Sequence, residues 1–502
     1  MFSKHKKNKK SNDDPQGKFT KFIVQKLFEK NKDVILETHL YEGKNVTFIM
    51  CDGMIDQQML NEVVFVRLTK LFEDNKREKL TAESINSKLH VPDLKELKTE
   101  EDLIKEVFLG KLLILFHEQQ IIFSVGIASR PQRSPEETST EISIKGPRDD
   151  FIEDITVNIA LIRKRLRTTS LAIKKYEIGT RTQTQVALLY IDDVIDKEIV
   201  KEIDKRLRAV NIDGIYSGTQ LKELLSEKDF NFYPTFHYSG RPDFCVNSLL
   251  SGRFLIFIDG VQYAILAPVN LAFFLKSGED SEATYLFNTF ERTIRLMALI
   301  MAIFLPGLWV ALSSFHQNQL PVTFLGTVIE SRLSVPLPAP LETLLMIILF
   351  EFFREAGLRM PMAIGSTLSV VGGLIIGDAA IRAGLASPIL IVVIASSSVA
   401  TYTLVSLSLH GIVSILRIFV VVLSSFVGLY GFFISVFLIV LSVARIDTFG
   451  VAYISVPGEV SIKDMFKTFV EWPVGEAQER PTMLTDHQDR TKGGKNKSGN
   501  SS

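Results

Sequence analysis

Apolar residues dominate the chain between residues 294 and 443, whereas charged residues are frequent on either side of that stretch. Pro, Gly and a few charges break the stretch into pieces of helix length, at 294–313, 364–380, 388–409 and 412–443. A helix of about 20 apolar residues crosses the hydrocarbon core of a bilayer. The pattern therefore predicts a helical transmembrane domain over residues 286–445, with about four spans.

A helix of another kind is predicted between the first two spans, near residues 341–357. It carries Glu351, Arg354 and Glu355 at the spacing i, i+3 and i+4, on one face and among large apolar residues. Two interpretations stay open. The helix either lies at the membrane surface with internal ion pairs, or lines an aqueous path in which a ring of glutamates from several subunits attracts cations.

Hydroxyl residues form a second polar stripe, since Ser397, Thr401 and Ser408 fall within about 40° of one another on one helix over 388–409. Such a stripe either bonds helices together or wets a pore. Together the two stripes give the candidate pore or gating residues Ser397, Thr401, Ser408, Glu351, Glu355 and Arg354.

Four further residues are candidates for coupling or hinge positions. Pro306 and Gly307 interrupt the first predicted span, where a kink is expected. Asp378 and Arg382 stand four positions apart at the end of the second span, and either pair with each other or face water.

Arg417 lies near one end of its span, from which a long side chain can reach the aqueous boundary.

An internal duplication organises the polar half of the chain. Residues 46–63 (VTFIMCDGMIDQQMLNEV) align without a gap with residues 186–203 (VALLYIDDVIDKEIVKEI), 140 positions further on. Residues 110–123 resemble residues 252–265 in the same way. Each half has apolar strands, turns containing Asp and amphipathic helices, which predicts two similar α/β or α+β subdomains with covered sheets.

The charges divide the chain further. Lys plus Arg and Asp plus Glu each number 57, so the net charge is zero, but most charges lie before residue 290 or in the last 60 residues. The predicted organisation is a disordered basic arm, subdomain 1, a linker rich in Pro and Ser, subdomain 2, the transmembrane domain, and a C-terminal cytoplasmic tail disordered at its end. Their bounds are 1–30, 31–130, 131–150, 151–285, 286–445 and 446–502.

The polar half offers little sign of catalysis. Asp52 and Asp192 end strands and Asp56 and Asp196 precede helices, where Asp favours turns and caps free N–H groups. A Gly-rich phosphate loop, HExxH, CxxC and a nucleophile elbow are all lacking, and the histidines show no metal-ligand spacing. We expect no enzyme activity, no cofactor and no metal, although a cleft between the subdomains would be a natural ligand site.

The ends of the chain bear on its orientation. The first residues are basic and polar without the apolar core of a signal peptide, and the tail is polar with several Lys and Arg. Both features favour the cytoplasmic side, which requires an even number of crossings.

Long collinear stretches resemble one protein family, the A subunits of GerA-type spore germinant receptors, from about residue 30 to 470. In the polar half these are KGPRDDFIEDITVNIALIRKRL, IGTRTQTQVALLYIDDVID, NIDGI and RPD. In the apolar half they are PGLWVALSSFHQNQLPVTFLGTVIESRLSVPLPAPLETLLMIILFEFFREAGLRMP (306–361) and IGSTLSVVGGLIIGDAAIRAGLASPIL (364–390). Many members have HPE after the first span, where this chain has His316, Gln317 and Asn318.

The resemblance implies a multi-pass protein of the inner membrane of the bacterial spore. It implies a transporter-like B subunit that recognises the nutrient, and a lipoprotein C subunit. It further implies that A subunits form a homo-oligomer, a ring around an ion-conducting path that nutrient opens, with no role for nucleic acid.

An alternative is a non-conducting scaffold or signal-relay subunit that couples the B subunit to later germination steps. The two functions differ in where the polar stripes lie. Ser397, Thr401 or Glu351 facing a common axis of an oligomer would favour the pore, whereas burial of these residues within one subunit would favour the scaffold.

Overall fold

A computed structural model describes residues 19–75, 80–129, 149–226, 232–359 and 377–454. Subdomain 1 is an antiparallel sheet of strand order β1-β2-β4-β5-β3 with helices on both faces. A π-helical segment, Leu60–Phe65, joins its second and third helices. Its elements are α1 (Lys21–Leu27), β1 (Val34–Tyr41), β2 (Lys44–Cys51), α2 (Gln57–Met59), α3 (Val66–Asp74), α4 (Ala82–Lys88), β3 (Lys95–Leu97), α5 (Glu100–Phe108), β4 (Leu112–Phe116) and β5 (Ile121–Val125).

Subdomain 2 repeats the design, with the antiparallel strand order β6-β7-β9-β10-β8. This confirms the prediction of two similar subdomains of strands and helices. Its elements are α6 (Ile155–Arg165), β6 (Leu171–Ile178), β7 (Thr184–Ile191), α7 (Lys197–Ala209), α8 (Gly218–Leu225), β8 (His237–Ser239), α9 (Pro242–Leu250), β9 (Phe254–Ile258), β10 (Ala264–Ala267) and α10 (Leu271–Phe274).

The duplicated aspartates make equivalent hydrogen bonds at helix starts and strand ends in the two subdomains. The Asp56 side chain accepts from the Met59 N–H at 2.9 Å, and the Asp196 side chain accepts from the Glu198 N–H at 2.8 Å. Each carboxylate thus satisfies an N–H at the start of a helix that has no helical acceptor. The backbone N–H groups of Asp52 and Asp192 donate, at 2.8 Å in both cases, to the carbonyl just before β1 or β6.

Part of the predicted disordered arm is folded. Residues 19–30 include α1, and Phe19, Val24 and Phe28 are buried in the core on one face of the subdomain 1 sheet. The prediction over residues 1–30 is therefore wrong for its last part, because an apolar stripe on α1 is buried against the sheet. Residues 1–18 lie outside the described residues.

The C-terminal half is a bundle of mostly apolar helices, consistent with a membrane domain. Two of them, α11 and α15, are long and apolar enough to cross a membrane, and α14 and α16 are shorter apolar helices. Residues 377–382 are also helical, whereas most of the predicted span 364–380 lies outside the described residues. The elements are α11 (Tyr285–Ser314), α12 (Val322–Arg332), α13 (Ala339–Arg359), α14 (Pro388–Tyr402), α15 (Leu407–Val427), α16 (Leu429–Ala444), β11 (Asp447–Thr448) and β12 (Val451–Ala452).

Two predicted long helices are each divided. The predicted helix 412–443 breaks at Gly428, whose φ of +64° favours glycine and whose added Cβ would lie 2.8 Å from the Cβ of Phe315. The predicted helix 388–409 ends at Tyr402, and α15 begins at Leu407. Ser408 therefore belongs to a different helix from Ser397 and Thr401, and the proposed stripe of three hydroxyls is wrong for Ser408.

The outer surface of this bundle is apolar. Phe426, Tyr430, Phe433 and Phe437 are each more than 60% exposed. Contiguous apolar surface on this scale is costly in water but matches the interior of a bilayer. The same bundle has polar and charged side chains in its interior, which is where a membrane protein places them.

Both ends of the bundle meet subdomain 2. The chain enters α11 from subdomain 2, and after α16 it returns to it in the β11–β12 hairpin. Phe449 of the hairpin packs edge-on against Phe236 and Phe254, and the Leu271 N–H donates to the Tyr453 carbonyl at 3.0 Å. The first residues of the predicted tail therefore belong to the folded protein, and residues from 455 onwards lie outside the described part.

Candidate functional site

A polar centre forms around one backbone carbonyl of α11. Pro306 has no N–H, so the carbonyl of Ala302, four residues before it, lacks its helical donor. Two side chains from other helices supply donors instead. The Ser397 hydroxyl of α14 donates to this oxygen at 2.9 Å, and the Arg417 Nε of α15 donates at 2.8 Å. The proline predicted as a hinge thus creates the acceptor on which three helices converge, and α11 continues through it to Ser314.

Arg417 is the central residue of this site. Its side chain is 3% exposed, so the prediction that it reaches the aqueous boundary is wrong. Besides the Ala302 carbonyl, its guanidinium donates to the Thr401 hydroxyl, which itself donates to the Ser397 carbonyl at 3.0 Å. Its Nη1 lies 3.8 Å from Glu351 Oε1. A buried guanidinium needs such partners because removing it from water is costly.

The stripe on α13 joins the same network. Glu351 and Arg354 form an ion pair at 2.7 Å, and each side chain is about one-fifth exposed. Ser414 of α15 connects them, since its hydroxyl donates to Glu351 Oε1 at 2.6 Å and accepts from Arg354 Nη1 at 2.7 Å. The Arg354 Nε is buried and has no hydrogen-bond partner among the residues that the structure describes. Two guanidinium groups therefore share one carboxylate, Glu351, at this place.

A second buried carboxylate anchors the other end of α13. Glu342 is 1% exposed, and its Oε1 accepts from the Ser387 N–H at 2.6 Å and from the Ser387 hydroxyl at 2.7 Å. Ser387 caps the N-terminus of α14, where the helix dipole favours a negative charge. Arg332 at the end of α12 lies 3.6 Å from the same carboxylate. This anchor was not predicted, although an acidic residue inside an apolar helix is a signal for it.

The remaining candidates lie outside the network. Ser408 is half-buried on α15, and Glu355 is exposed on α13. Asp378 and Arg382 pair with each other at 2.8 Å, with side chains 55% and 79% exposed, so they form a surface ion pair. Gly307 is a point of close helix approach, since a Cβ there would lie 2.5 Å from Val420 of α15.

The joint between the two subdomains is polar. Arg163 of α6 is fully buried and donates to both carboxylate oxygens of Asp33 at 2.8 Å. Lys175 lies 3.3 Å from Asp52, and Lys30 pairs with Asp192. The duplicated aspartates thus also bind across the joint, a role that sequence comparison of the two halves did not suggest.

One cavity of the soluble half is lined by residues of subdomain 2. This cavity of about 340 Å³ lies at the open edge of subdomain 2, between the end of β6 and the end of α7, rather than between the subdomains. Among the described residues, no group of three or more His, Cys, Asp or Glu side chains is placed to hold a metal ion.

The chain is similar to spore germination proteins over most of its length. Spore germination protein XA of Bacillus anthracis is 40% identical over 92% of this chain and 95% of that protein. GerLA of Bacillus cereus is 31% identical over 86% of this chain and 88% of that protein. Spore germination protein KA of Bacillus subtilis is 29% identical over 94% of this chain and 87% of that protein.

Among solved structures, one match is the N-terminal domain of the A subunit of the Bacillus megaterium spore germinant receptor GerK3. The match covers 49% of this chain and 92% of the solved chain, at 24% identity and a TM-score of 0.38. The family described as Bacillus/Clostridium GerA spore germination protein matches residues 23–483. The family match and the three related proteins confirm the resemblance found in the sequence. The chain belongs to the GerA spore germination protein family and is a spore germination protein of the germinant-receptor A-subunit type.

Proposed function

We propose that this chain is the A subunit of a nutrient-triggered receptor in the inner membrane of the spore, and that its helical domain oligomerises around an ion path. In this proposal a transporter-like B subunit recognises the nutrient and a lipoprotein C subunit completes the receptor. The observation that carries the proposal is the network of Glu351, Arg354, Ser414 and Arg417, which attaches α13 to the bundle by partly exposed charged groups.

The charges of the network favour a path outside the single subunit. The interior network holds Arg354 and Arg417 against one carboxylate, Glu351, so a cation passing through it would meet excess positive charge. The outward side of α13 is open, with Leu341, Leu345, Ile348 and Phe352 each more than 40% exposed and Glu355 exposed beyond them. A path between neighbouring subunits would therefore be lined by α13, with Glu355 supplying negative charge.

The proposed gate requires one firm and one weaker attachment of α13 to the bundle, and Glu342 and Glu351 differ in this way. Glu342 is held by two hydrogen bonds of 2.6 and 2.7 Å and is buried. Nine residues further along, near the middle of α13, Glu351 is partly exposed and 3.8 Å from Arg417. We infer that α13 swings about the Glu342 anchor when the Glu351–Arg417 contact is released, because the weaker and wetter contact opens at lower cost.

A second candidate is the non-conducting scaffold. Ser397 and Thr401 are 0% and 2% exposed, and both bond within one subunit. This placement favours helix packing as the role of these hydroxyls. On this alternative the network only holds the bundle together, and the B subunit moves the ion or solute.

Potassium release from spores whose only A subunit is this chain tests the proposal. Glu351→Gln should speed nutrient-triggered release at least five-fold at normal receptor amounts, because it removes the negative charge that holds Arg417 and Arg354 and keeps the gate closed. Thr401→Val should act in the same direction, since Arg417 then loses a hydrogen-bond acceptor.

Ser408→Ala is the matched control, because Ser408 lies on α15 outside the network. Release that is unchanged per assembled receptor in Glu351→Gln would remove the gate and favour the scaffold. A change in ion selectivity in Glu355→Gln, with the release rate preserved, would place α13 on the path.

A further inference from the structure

A short 3-10 turn, Gly278–Glu282, connects subdomain 2 to α11 and carries two consecutive carboxylates with different partners. Glu279 accepts from Arg241 Nη1 at 2.5 Å, and Arg241 precedes α9 of subdomain 2. Asp280 accepts from Arg295 Nη1 at 2.9 Å and from Arg292 Nε at 3.2 Å, both on α11. One dipeptide thus binds the soluble subdomain with one side chain and the first bundle helix with the other.

The subdomain side of this turn is tightly built. The Arg241 side chain is 3% exposed, and it also binds Asp243 through Nε at 3.2 Å and Nη2 at 2.7 Å. Burial alone would lower the pKa of Arg241, but the carboxylates of Asp243 and Glu279 outweigh burial and raise that pKa. A Cβ at Gly278 would lie 2.8 Å from Arg241 Nε, so the turn depends on glycine there.

The helix side is equally enclosed. The side chains of Asp280, Arg292 and Arg295 are 6%, 7% and 10% exposed. Arg295 also donates to the Leu275 carbonyl at 3.0 Å and to Glu291 at 2.7 Å. Charged hydrogen bonds in such surroundings are directional, and losing one partner leaves a buried charge without compensation.

Apolar packing also joins subdomain 2 to the bundle. Phe273, Phe274 and Leu275 share one core with Ala298 and Ala302 of α11. Apolar contact has no preferred direction, so it resists separation of the two parts better than rotation or sliding of one on the other. The paired charges supply the missing directional constraint.

We propose that Arg241, Glu279, Asp280, Arg292 and Arg295 form a clasp that transmits movement of subdomain 2 to the polar centre of the bundle. Arg295 and Ala302 lie on the same helix, seven residues or about 10 Å apart along its axis. Rotation of α11 by the clasp displaces the Ala302 carbonyl from Arg417 and Ser397. The inference rests on the proposed function, because it names how that centre is controlled.

The test uses full-length receptors in spores whose only A subunit is this chain. Glu279→Gln and Asp280→Asn should each slow nutrient-triggered potassium release at least ten-fold, with subunit amounts in the membrane within two-fold of the unchanged chain. Glu279→Asp, which keeps the carboxylate opposite Arg241, should release within three-fold of the unchanged chain. Asp193→Asn, an exposed carboxylate of subdomain 2, is the control and should release at the original rate.

The outcomes separate the clasp from the gate. Normal release in Glu279→Gln overturns the clasp. So does release in Glu279→Asp that is as slow as in Glu279→Gln, with both variants present in normal amounts. If Glu351→Gln alters release while the clasp variants do not, only the clasp fails. If none of these variants alters release, the proposed function fails as well. Should Asp280→Asn reduce the amount of protein, Glu279→Gln and Glu279→Asp decide alone.

Discussion

Subdomains 1 and 2 have a similar succession of elements. At one equivalent position, however, each carries a basic side chain with different partners. The N–H of Lys111 donates to the Glu106 carbonyl at 3.1 Å, and the N–H of Arg253 donates to the Ser248 carbonyl at 3.2 Å, at the same point before β4 and β9. Lys111 Nζ lies 2.6 Å from Asp93 and 2.7 Å from Glu106. Arg253 instead stacks on a phenyl ring, 4.2 Å from its centroid, and donates to the Pro268 carbonyl at 3.1 Å.

The surroundings explain this difference. Burial would lower the pKa of the Lys111 ammonium, but the carboxylates of Asp93 and Glu106 outweigh it and raise the pKa. Burial lowers the pKa of the Arg253 guanidinium to about 9. The face of the sheet near Arg253 is continuous with the core of the helical bundle, whereas the equivalent face of subdomain 1 is covered mainly by α1 and α5. One copy of the fold has thus become the docking platform for the bundle.

The joint between the copies uses different chemistry from that platform. It depends on the enclosed Arg163–Asp33 pair and on two more exposed pairs, Lys30–Asp192 and Lys175–Asp52. Polar joints depend on matched charges, whereas the platform depends on shared apolar area. Changes at single residues should therefore act very differently at the two places.

The largest effect is expected from Arg163→Met. The side chains of Arg163 and Asp33 are 0% and 1% exposed, so the substitution leaves a carboxylate buried without its partner. We expect the free energy of unfolding of the soluble part to fall by about 3 to 5 kcal/mol. Amide hydrogen exchange of β2 and β7 in the detergent-solubilised chain measures this change.

The double variant Asp33→Leu with Arg163→Met serves as the control for that prediction. Because it removes both charges, it should lose clearly less stability than Arg163→Met alone. Equal losses in the single and double variants would show that packing of Arg163 over the Phe108 ring, 4.2 Å away, matters more than the ion pair.

A smaller effect is expected in the pH dependence of folding stability, which should differ between the two sheets. His237 on β8 is buried, and its equivalent at the start of β3, Lys95, is exposed. Burial, with a smaller contribution from the nearby Arg253 charge, lowers the pKa of His237 from 6.5 to about 4. Between these values the unfolded chain binds a proton that the folded chain does not. Folding stability of subdomain 2 is therefore intact above pH 6.5 and falls by up to about 3 kcal/mol as the pH decreases to 4.

Hydrogen exchange at the amides of β9 and β10, measured between pH 7 and pH 4 and corrected for the intrinsic exchange rate, follows this loss. His237→Phe should flatten the profile, since the ring packs among Phe244, Phe273 and Phe274 without needing a charge. Burial also lowers the pKa of His117 in subdomain 1, but that ring is less enclosed. A profile equally steep in β4 and β5 would contradict the difference between the sheets.

Local pattern and duplication predict much of the soluble half, because strand alternation and the Asp caps are set by neighbouring residues. The network in the bundle is only partly predictable. That Pro306 frees the Ala302 carbonyl follows from covalent geometry, but its donors Ser397 and Arg417 come from helices far away in sequence. Their arrival depends on tertiary packing that no local pattern contains.

Helix boundaries in the apolar half show the same limit. Apolar residues continue through Gly428 and through residues 403–406, so hydropathy predicts unbroken helices there. The breaks arise because the φ of Gly428 is positive and because residues 403–406 leave the helical conformation after Tyr402. For the same reason hydropathy predicts a face shared by Ser408 and Thr401, although Ser408 lies on the next helix.

The smallest effect is expected at the more exposed corner of the joint. Lys175 and Asp52 lie 3.3 Å apart with side chains 38% and 30% exposed, so solvent screens their attraction. Lys175→Gln should lower the free energy of unfolding by about 0.5 kcal/mol or less, and 1 M salt should abolish the difference. The same hydrogen-exchange measurement on β2 and β7 checks it. A loss comparable to that of Arg163→Met would mean that the corner pairs, rather than the enclosed arginine, hold the subdomains together.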